Sequence, residues 1–405
     1  MSASRVVRTK TATRFTDRVL LAIVTSLVLA ANACSGDAGV EETAANGSGP
    51  LDEPAQPADR PAPPSPMALG ALAYPLDGDI YLADWDGSNP VRIADGRSSD
   101  DCHEYWSEGP MWSPDGRYLA YRHTNCQDAP GWGDVVISDP EGNVVTSFPG
   151  EGWLISWSPD STRVAVWVRW GETIGVYGLD GARQGLLTLP PGLMAGGDFD
   201  PVWSRDGASL LVPHGVEVPL DGSTPRQLSP DDPRSSEASY SPDGSHVAYV
   251  EASPPTPFPD WGALMVASAD GSGARVFVCC RLWDLVWSPT EDRIAFVQQT
   301  SESDRGDKAA TELRVIDVRS GTVTRLAGMG GTDVLMNPQF SPEGDRILFA
   351  WGGRSYEEIS LWTVDPDGSD LRRLVIGTGW GDWQSLGPTL ERALREPSLT
   401  RRGHH

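Results

Sequence analysis

The stretch PMWSPDGRYLAY, residues 110–121, decides the fold of this chain. Its aromatic residue Trp112 precedes Ser-Pro-Asp-Gly, a combination with turn chemistry. Proline presets φ, serine can bond nearby backbone, and glycine tolerates the exit geometry. After the turn, side chains alternate from Tyr118 to Tyr121, which is the period of a β-strand. The stretch therefore predicts a strand, a tight turn and a second strand.

The same pattern returns five more times along the chain. Each copy has an aromatic anchor directly before the turn, and successive anchors are 45, 46, 37, 47 and 53 residues apart. A self-similar period near 45 residues is typical of the blades of a β-propeller. The anchors are Trp112, Trp157, Trp203, Tyr240, Trp287 and Phe340.

A second motif follows at a distance from each turn. It is a strand-like run that ends in an Asp-Gly type of hairpin turn. One repeat then contains four antiparallel strands, which is the content of one propeller blade. The seven copies are DIYLADWDGS (79–88), DVVISDPEGN (134–143), IGVYGLDGA (174–182), GVEVPLDGS (215–223), LMVASADGS (264–272), LRVIDVRSG (313–321) and LWTVDPDGS (361–369).

The number of blades follows from counting both motifs. There are seven hairpins but six Ser-Pro-Asp-Gly turns, so the first blade lacks an innermost strand of its own. Leu386 stands 46 residues after Phe340, where the next anchor is due. We expect residues 383–386 to pair beside residues 72–74 and to close the ring, which removes exposed sheet edges. The sequence predicts an all-β propeller of seven four-stranded blades over residues 69–388, with six or eight blades as alternatives.

The WSPDG turn followed by a D-x-DG hairpin resembles the TolB-like propeller repeat, a relative of WD-type repeats. The resemblance covers residues 69–388 and implies the propeller fold. It implies little about function, because this fold carries many roles. TolB has an α/β domain before its propeller, whereas only a short linker stands there in this chain.

The N-terminal region is predicted to be an export signal. In residues 1–33, five basic residues precede or flank the start of the apolar run VLLAIVTSLVLAA (19–31), which is short for a membrane span. Cys34 follows a cleavage-like Ala-Asn-Ala and resembles the lipid-modified cysteine of bacterial lipoproteins; plain secretion is the alternative. Residues 34–68 have the composition of a disordered acidic tether, and residues 389–405 form a tail. We expect a lipid-anchored protein that faces outward from the cell membrane.

The chain is strongly acidic, with a formal net charge of −24. Such a charge repels nucleic acid and anionic lipid. We therefore expect no nucleic-acid partner, membrane contact only through the lipid anchor, and a soluble monomeric propeller.

Four cysteines remain beyond the lipidation candidate, an even number that suggests disulfides in an exported protein. Cys102 and Cys126 fall in connections predicted to emerge on one face of the same blade, so they can pair. The adjacent cysteines would then form a vicinal bridge or stay reduced. A zinc site with His103 and His123 is a rival, although its spacing fits no usual zinc module. The four are Cys102, Cys126, Cys279 and Cys280.

The loops predicted on the Cys102 face are rich in tryptophan and acids. Asp200, Glu237 and Asp284 each stand three residues before an anchor, and equivalent positions of a propeller converge on the mouth of the central channel. Tryptophan on a wet rim is typical of interfaces and sugar sites; the alternative is that tryptophans pack between blades and acids cap loops. The tryptophans are Trp106, Trp132, Trp153, Trp170, Trp261, Trp283, Trp380 and Trp383, and the acids are Glu108, Asp200, Glu237, Asp284 and Asp382.

Two classes of function fit this face. The sequence contains no G-x-S-x-G elbow, no P-loop and no H-E-x-x-H motif. This favours a non-catalytic, envelope-anchored propeller that binds a protein or peptide. The alternative is a lyase or hydrolase of glycans or cell-wall polymers with two acids as acid and base. A lesser alternative is Ca²⁺ held at the channel mouth, and no other cofactor is expected.

Overall fold

A computed structural model describes residues 42–43, 72–96, 107–123, 132–151, 155–169, 172–189, 201–212, 215–228, 238–252, 262–300, 311–329, 334–353, 359–378 and 381–384. Nearly all regular structure in these ranges is β-strand. Within them, no helix is long and apolar enough to cross a membrane.

The described ranges contain 28 strands. In chain order they are β1 (Glu42–Thr43), β2 (Leu72–Leu76), β3 (Asp79–Ala83), β4 (Val91–Ala94), β5 (Ser107–Trp112), β6 (Leu119–His123), β7 (Trp132–Ser138), β8 (Val144–Glu151), β9 (Ile155–Trp157), β10 (Arg163–Arg169), β11 (Thr173–Gly178), β12 (Arg183–Thr188), β13 (Val202–Trp203), β14 (Ser209–Val212), β15 (Val216–Pro219), β16 (Arg226–Gln227), β17 (Ala238–Tyr240), β18 (His246–Ala252), β19 (Gly262–Ser268), β20 (Arg275–Trp287), β21 (Arg293–Gln299), β22 (Thr311–Asp317), β23 (Val323–Met329), β24 (Val334–Phe340), β25 (Ile347–Gly352), β26 (Ser360–Val364), β27 (Arg372–Ile376) and β28 (Asp382–Trp383).

Antiparallel pairing groups these strands into four-stranded units, which we call blades. The short β1 alone pairs in parallel, with β23. The all-β prediction is confirmed, while the blade count of the complete chain stays a prediction. Within the described ranges, blade 1 is β28-β2-β3-β4, blade 2 is β5 to β8, blade 3 is β9 to β12, blade 4 is β13 to β16, blade 5 is β17 to β19 with the start of β20, blade 6 is the end of β20 with β21 to β23, and blade 7 is β24 to β27.

Strand β20 belongs to two blades at once. Near its start, Val276 pairs with Met265 of β19; at its end, Trp287 pairs with Ile294 of β21. The outer strand of blade 5 therefore continues as the innermost strand of blade 6 without an intervening loop.

The serine of each Ser-Pro-Asp-Gly turn explains why the motif repeats. The Ser113 hydroxyl donates to Asp115 Oδ1 over 2.7 Å and accepts from the Tyr118 N–H over 3.0 Å. The serine side chain thus closes the turn, and its buried hydroxyl has both a hydrogen-bond acceptor and a donor. The same two bonds recur at Ser158, Ser204 and Ser241.

Two of the tryptophan anchors bond the neighbouring blade through their indole N–H groups. Trp157 Nε1 donates to the Met111 carbonyl over 3.1 Å, and Trp203 Nε1 donates to the Ser156 carbonyl over 3.0 Å. Each acceptor lies one residue before the anchor of the preceding blade. The apolar core lies between blades in the same way: one cluster combines Trp157 with Ile137 and Phe148.

Blade 1 takes its innermost strand from the far end of the described chain. Trp383 pairs with Leu72, and Asp382 pairs with Ala73. This places Trp383, not Leu386, in the anchor position, because Trp112 and Leu119 form the equivalent pair in blade 2. The predicted anchor was three residues too late, and Leu386 lies outside the described residues.

Blade 7 also contacts blade 1 at two further points. The Arg346 guanidinium lies 4.3 Å from the ring centre of Trp85. A Cβ on Gly87 would lie 2.9 Å from the Leu374 carbonyl oxygen, so the hairpin of blade 1 packs tightly on β27. These contacts support the predicted ring, whose closure stays a prediction.

Candidate functional site

The two ends of the blades differ in their connections. The Ser-Pro-Asp-Gly turns and the seven repeated Asp-Gly hairpins lie at one end, which we call the turn face, whereas the short Asp77-Gly78 hairpin between β2 and β3 lies at the other end. Neighbouring turns contact there: the Ser161 hydroxyl accepts from the Asp115 N–H over 3.0 Å. Because consecutive strands are antiparallel, all other connections start and finish at the opposite end, which we call the loop face. These include residues 97–106, 124–131, 190–200, 229–237, 253–261 and 301–310.

Most of the predicted site residues belong to the loop-face connections and lie outside the described residues. For these side chains the predicted convergence on a channel mouth stays a prediction. Trp132 begins β7, and its side chain is also outside the description. The residues outside are Trp106, Trp153, Trp170, Trp261, Trp380, Asp200 and Glu237, together with Cys34, Cys102 and Cys126.

The two described tryptophans of the set contribute to packing. Trp383 is only 6% exposed and lies in the core of blade 1 with Leu72 and Tyr74. Trp383 is buried because it occupies the anchor position of blade 1. The prediction that its side chain lies on the solvent-facing rim is therefore wrong. Trp283 is partly buried against the cluster shared by blades 6 and 7.

Asp284 links the innermost strands of blades 6 and 7. Its Oδ2 accepts a hydrogen bond from the Asn337 N–H over 2.9 Å. Asn337 stands three residues before the Phe340 anchor, as Asp284 stands three before Trp287, so the bond joins equivalent positions. Burial raises the pKa of Asp284 to about 6.

The position three residues before the anchor also has a backbone requirement. Gly109, Asp284 and Asn337 occupy it in blades 2, 6 and 7, with φ of 59°, 52° and 54°. Glycine, aspartate and asparagine are the residues that best tolerate this left-handed region. The pairing register shifts at each of these points, which marks a β-bulge. The residue types at this position therefore indicate a β-bulge, whereas their acidic members had been interpreted as part of a binding site.

Asp382 links blades 1, 2 and 7. Its Oδ2 accepts from the Trp112 N–H over 2.6 Å, and its Oδ1 accepts from the Trp383 N–H over 2.9 Å. In the amide orientation that satisfies both partners, Gln339 donates to Asp382 Oδ1 over 3.0 Å and to the Gly381 carbonyl over 3.1 Å. Burial raises the pKa of Asp382 to about 7, although the backbone bonds favour its charged form.

Sequence reasoning selected Asp284 and Asp382 but missed what they do. Both carboxylates accept the backbone N–H of the next blade, so they stabilise blade packing. The positions of Gln339 and Asp382, each directly before an anchor, were an available signal for contacts between neighbouring blades. Near-neutral pKa values would suit proton transfer, yet Asp284 Oδ2 and both carboxylate oxygens of Asp382 already accept backbone N–H bonds.

The described residues test only part of the metal-site and disulfide predictions. Among the described residues, no group of three or more His, Cys, Asp or Glu side chains is placed to hold a metal ion. Cys279 is disulfide-bonded, and the side chain that completes this bond lies outside the description. The pairing of the four cysteines stays a prediction.

No protein-family model matches this sequence, and no curated protein does so either. Solved structures do resemble it. TolB from Acinetobacter baumannii is 18% identical with a TM-score of 0.46; the match covers 78% of this chain and 66% of TolB. The β-propeller domain of Cps50 (Swd1) from Myceliophteria thermophila is 15% identical with a TM-score of 0.50, over 69% of this chain and 90% of that domain.

A functionally unknown protein from Desulfotomaculum acetoxidans is 10% identical with a TM-score of 0.50, covering 78% of this chain and 98% of that one. The two likenesses with a TM-score of 0.50, together with the four-stranded sheets, establish a β-propeller fold. At such low identity they show the fold alone. This chain spans about two thirds of the TolB structure that it matches.

Proposed function

We propose that this protein is a non-catalytic propeller at the cell envelope that binds a protein or peptide through its loop face. The observation that carries the proposal is the asymmetry between the two faces. The turn face is built from short repeated turns whose polar groups bond one another, as Ser113, Asp115 and Tyr118 do. The loop face receives the long and varied connections, and five of the sixteen tryptophans fall in them: Trp106, Trp153, Trp170, Trp261 and Trp380. Long, aromatic-rich loops on a rigid scaffold are typical of recognition surfaces.

The described acids support binding over catalysis. An acid–base pair needs carboxyl groups that can reach a substrate in hydrogen-bond geometry. Asp284 and Asp382 instead bond the backbone of Asn337 and Trp112. Their raised pKa values are the observation that keeps a glycan lyase or hydrolase as the second candidate.

The proposed address rests on the N-terminal sequence. An export signal ending at residue 33, a lipidated Cys34 and a tether over residues 34–68 would hold the propeller outside the membrane. An extracytoplasmic partner follows from that address, and the net charge of −24 favours a partner with a basic surface.

The test compares the two faces with matched variants. Binding of proteins from envelope extract is quantified for the wild type, for Trp106→Ala with Trp261→Ala, and for Trp85→Ala. Trp85 is the control because it lies on the turn face under Arg346. We expect the loop-face change to weaken capture by about 1–4 kcal/mol per anchor and the control to retain it. Equal capture by all three proteins would contradict the proposal.

The same preparations test the enzymatic alternative. Each protein is incubated with a panel of cell-wall and plant glycans, and new reducing or unsaturated ends are measured. Turnover by the wild type that Asp284→Asn abolishes, with folding retained, would favour the enzyme.

A further inference from the structure

We propose that the outer edge of blade 6 is a docking site for the tether of this same chain, and that the docked tether directs the loop face away from the membrane. The docked segment is β1, Glu42–Thr43, which lies within the predicted tether over residues 34–68. The docking of β1 does not depend on the proposed function. The orientation rests on the proposed lipid anchor at Cys34 and adds which face an extracytoplasmic partner can reach.

Strand β23 is the outermost strand that blade 6 contributes in the described ranges. One of its edges is paired with β22 along the strand. The other edge would present N–H and C=O groups without a ladder partner, which is a template for an added strand. Strand β1 occupies this edge: Glu42 pairs with Val323, and Thr43 pairs with Thr324. Addition of a strand to a sheet edge is a recurring mode of peptide recognition, in which main-chain hydrogen bonds supply the affinity.

The pairing falls on the part of the tether that is best suited to form a strand. Val40 and Thr43 are the only β-branched residues of the tether, and such residues favour strands. The seven prolines of the tether, which cannot donate to a ladder, all stand at residue 50 or later. The average composition of residues 34–68, which predicted disorder, conceals this local difference.

The start of β23 is held in place by packing. Val323 is 5% exposed and belongs to the apolar cluster shared by blades 5 and 6. Val144 holds the equivalent place in blade 2 and is 61% exposed. The two places are equivalent because Val323 pairs with Ile316 and Val144 with Ser138, each directly before the hairpin aspartate. A strand edge that is already fixed loses less conformational entropy when a segment pairs with it.

The direction of β1 determines the side from which the chain arrives. Strand β1 runs parallel to β23, and β23 begins at the turn face, directly after the hairpin over residues 317–322. Glu42 pairs with the first residue of β23, so it lies at the turn-face end of blade 6. The residues before Glu42 therefore reach blade 6 from the turn-face side.

The length of chain before β1 limits the distance to the membrane. Seven residues separate Cys34 from Glu42, and this stretch spans at most about 26–29 Å when fully extended. Without docking, the first strand of blade 1 begins at Leu72, 38 positions after Cys34, and the reach is about 125–137 Å. Docking would thus hold the turn face near the membrane and present the loop face outward.

The docking is tested by amide exchange on the full chain, purified in detergent. Glu42→Pro with Thr43→Pro removes two consecutive N–H groups, and because neighbouring N–H groups of a strand point to opposite sides, one of them faces β23. Ala55→Pro with Gln56→Pro is the control, since it adds two prolines to the same tether outside β1.

We expect the amides of β23 that face away from β22 to exchange at least about tenfold faster in the first variant and at the wild-type rate in the control. Strand β12, the outer strand of blade 3, serves as an internal reference and should not change. Equal exchange of β23 in the wild type and in Glu42→Pro with Thr43→Pro would overturn the proposal.

The orientation is tested by energy transfer to phosphatidylcholine vesicles that carry an acceptor dye on a lipid headgroup. A donor dye is attached through a non-canonical residue, which leaves the cysteines unchanged, at position 319 on the turn face or at position 300 on the loop face. Both positions lie in blade 6, and both Arg319 and Thr300 are exposed. We expect stronger transfer from position 319, with the difference lost in the Glu42→Pro, Thr43→Pro protein.

Equal transfer from both positions, or none from either, would overturn the orientation even if the outer edge of β23 is protected. Capture of a partner by the loop face is measured separately, so failure of the binding proposal would leave both of these results unchanged. The two proposals can therefore fail independently.

Discussion

The carboxylate of Asp284 accepts the backbone N–H of Asn337 over 2.9 Å, although the two residues lie 53 positions apart in different blades. Both have φ near 53° and stand three residues before an anchor. A bulge in one innermost strand thus turns a side chain toward the same bulge in the next. The side chain at this position of the repeat is therefore engaged in a contact between neighbouring blades.

Replacing Asp284 should separate its two structural roles. Asp284→Ala removes the acceptor of the partly buried Asn337 N–H, so we expect a loss of about 1–3 kcal/mol in the free energy of unfolding. Asp284→Asn keeps a side-chain oxygen and tolerates the left-handed backbone, so it should stay within about 1 kcal/mol of wild type. Urea unfolding at pH 7 measures both. Similar losses in the two variants would show that the hydrogen bond contributes little.

Much of the fold was predictable because its signals are local. The turn at Ser113 closes through contacts within five residues, and the same chemistry recurs in the other copies. The period of the anchors then indicated the blades. The anchor of the closing strand was placed three residues too late because β28 is too short to show a period, and the anchor spacing alone varies from 37 to 53 residues.

The site was less predictable because its contacts are not local. Asp284 and Asp382 were selected for their charge, yet their partners lie 53 and 270 positions away. Nothing in the residues around Asp382 indicates Trp112 as its partner until the ring is assembled. The pattern of Gly109, Asp284 and Asn337 could have predicted the bulge, since these residue types share a tolerance of positive φ.

Hairpin glycines should differ according to whether they pack on the preceding blade. A Cβ on Gly142 would collide with the Ile93 carbonyl oxygen, whereas one on Gly222 meets nothing within 4 Å. Their φ values are 85° and 81°, so the backbone cost of alanine is similar, about 1–2 kcal/mol. Gly142→Ala should lose about 1–3 kcal/mol more than Gly222→Ala because blades 1 and 2 must separate slightly. Thermal unfolding of both variants checks this, and equal losses would contradict it.

If Cys34 carries a lipid anchor, replacing it should move the protein to another compartment and leave the fold unchanged. Cys34→Ser removes the acceptor of the lipid, so the protein should leave the membrane fraction or stall before processing. A diacylglycerol anchor has two chains and should resist a salt wash, unlike electrostatic binding. Fractionation with and without high salt measures this, and Lys10→Ser is a control that alters the signal but not the cysteine. Unchanged membrane association of Cys34→Ser would rule the anchor out.

Ring closure can be tested by two truncations that differ by seven residues. Removing residues 385–405 leaves β28 in place, whereas removing residues 378–405 deletes it with its contacts to Leu72 and Trp112. The longer deletion should expose the inner edge of blade 1 and lower the unfolding temperature of the whole domain, while the shorter one should have little effect. Gly381→Ala provides a milder version, since its Cβ would lie 2.8 Å from Leu361 Cδ1 and 3.1 Å from the Ala73 carbonyl oxygen. We expect it to cost about 1–3 kcal/mol, compared with little for Gly185→Ala, whose nearest contact would be an ordinary 3.6 Å. If both truncated proteins unfold at the wild-type temperature, Trp383 does not close a ring.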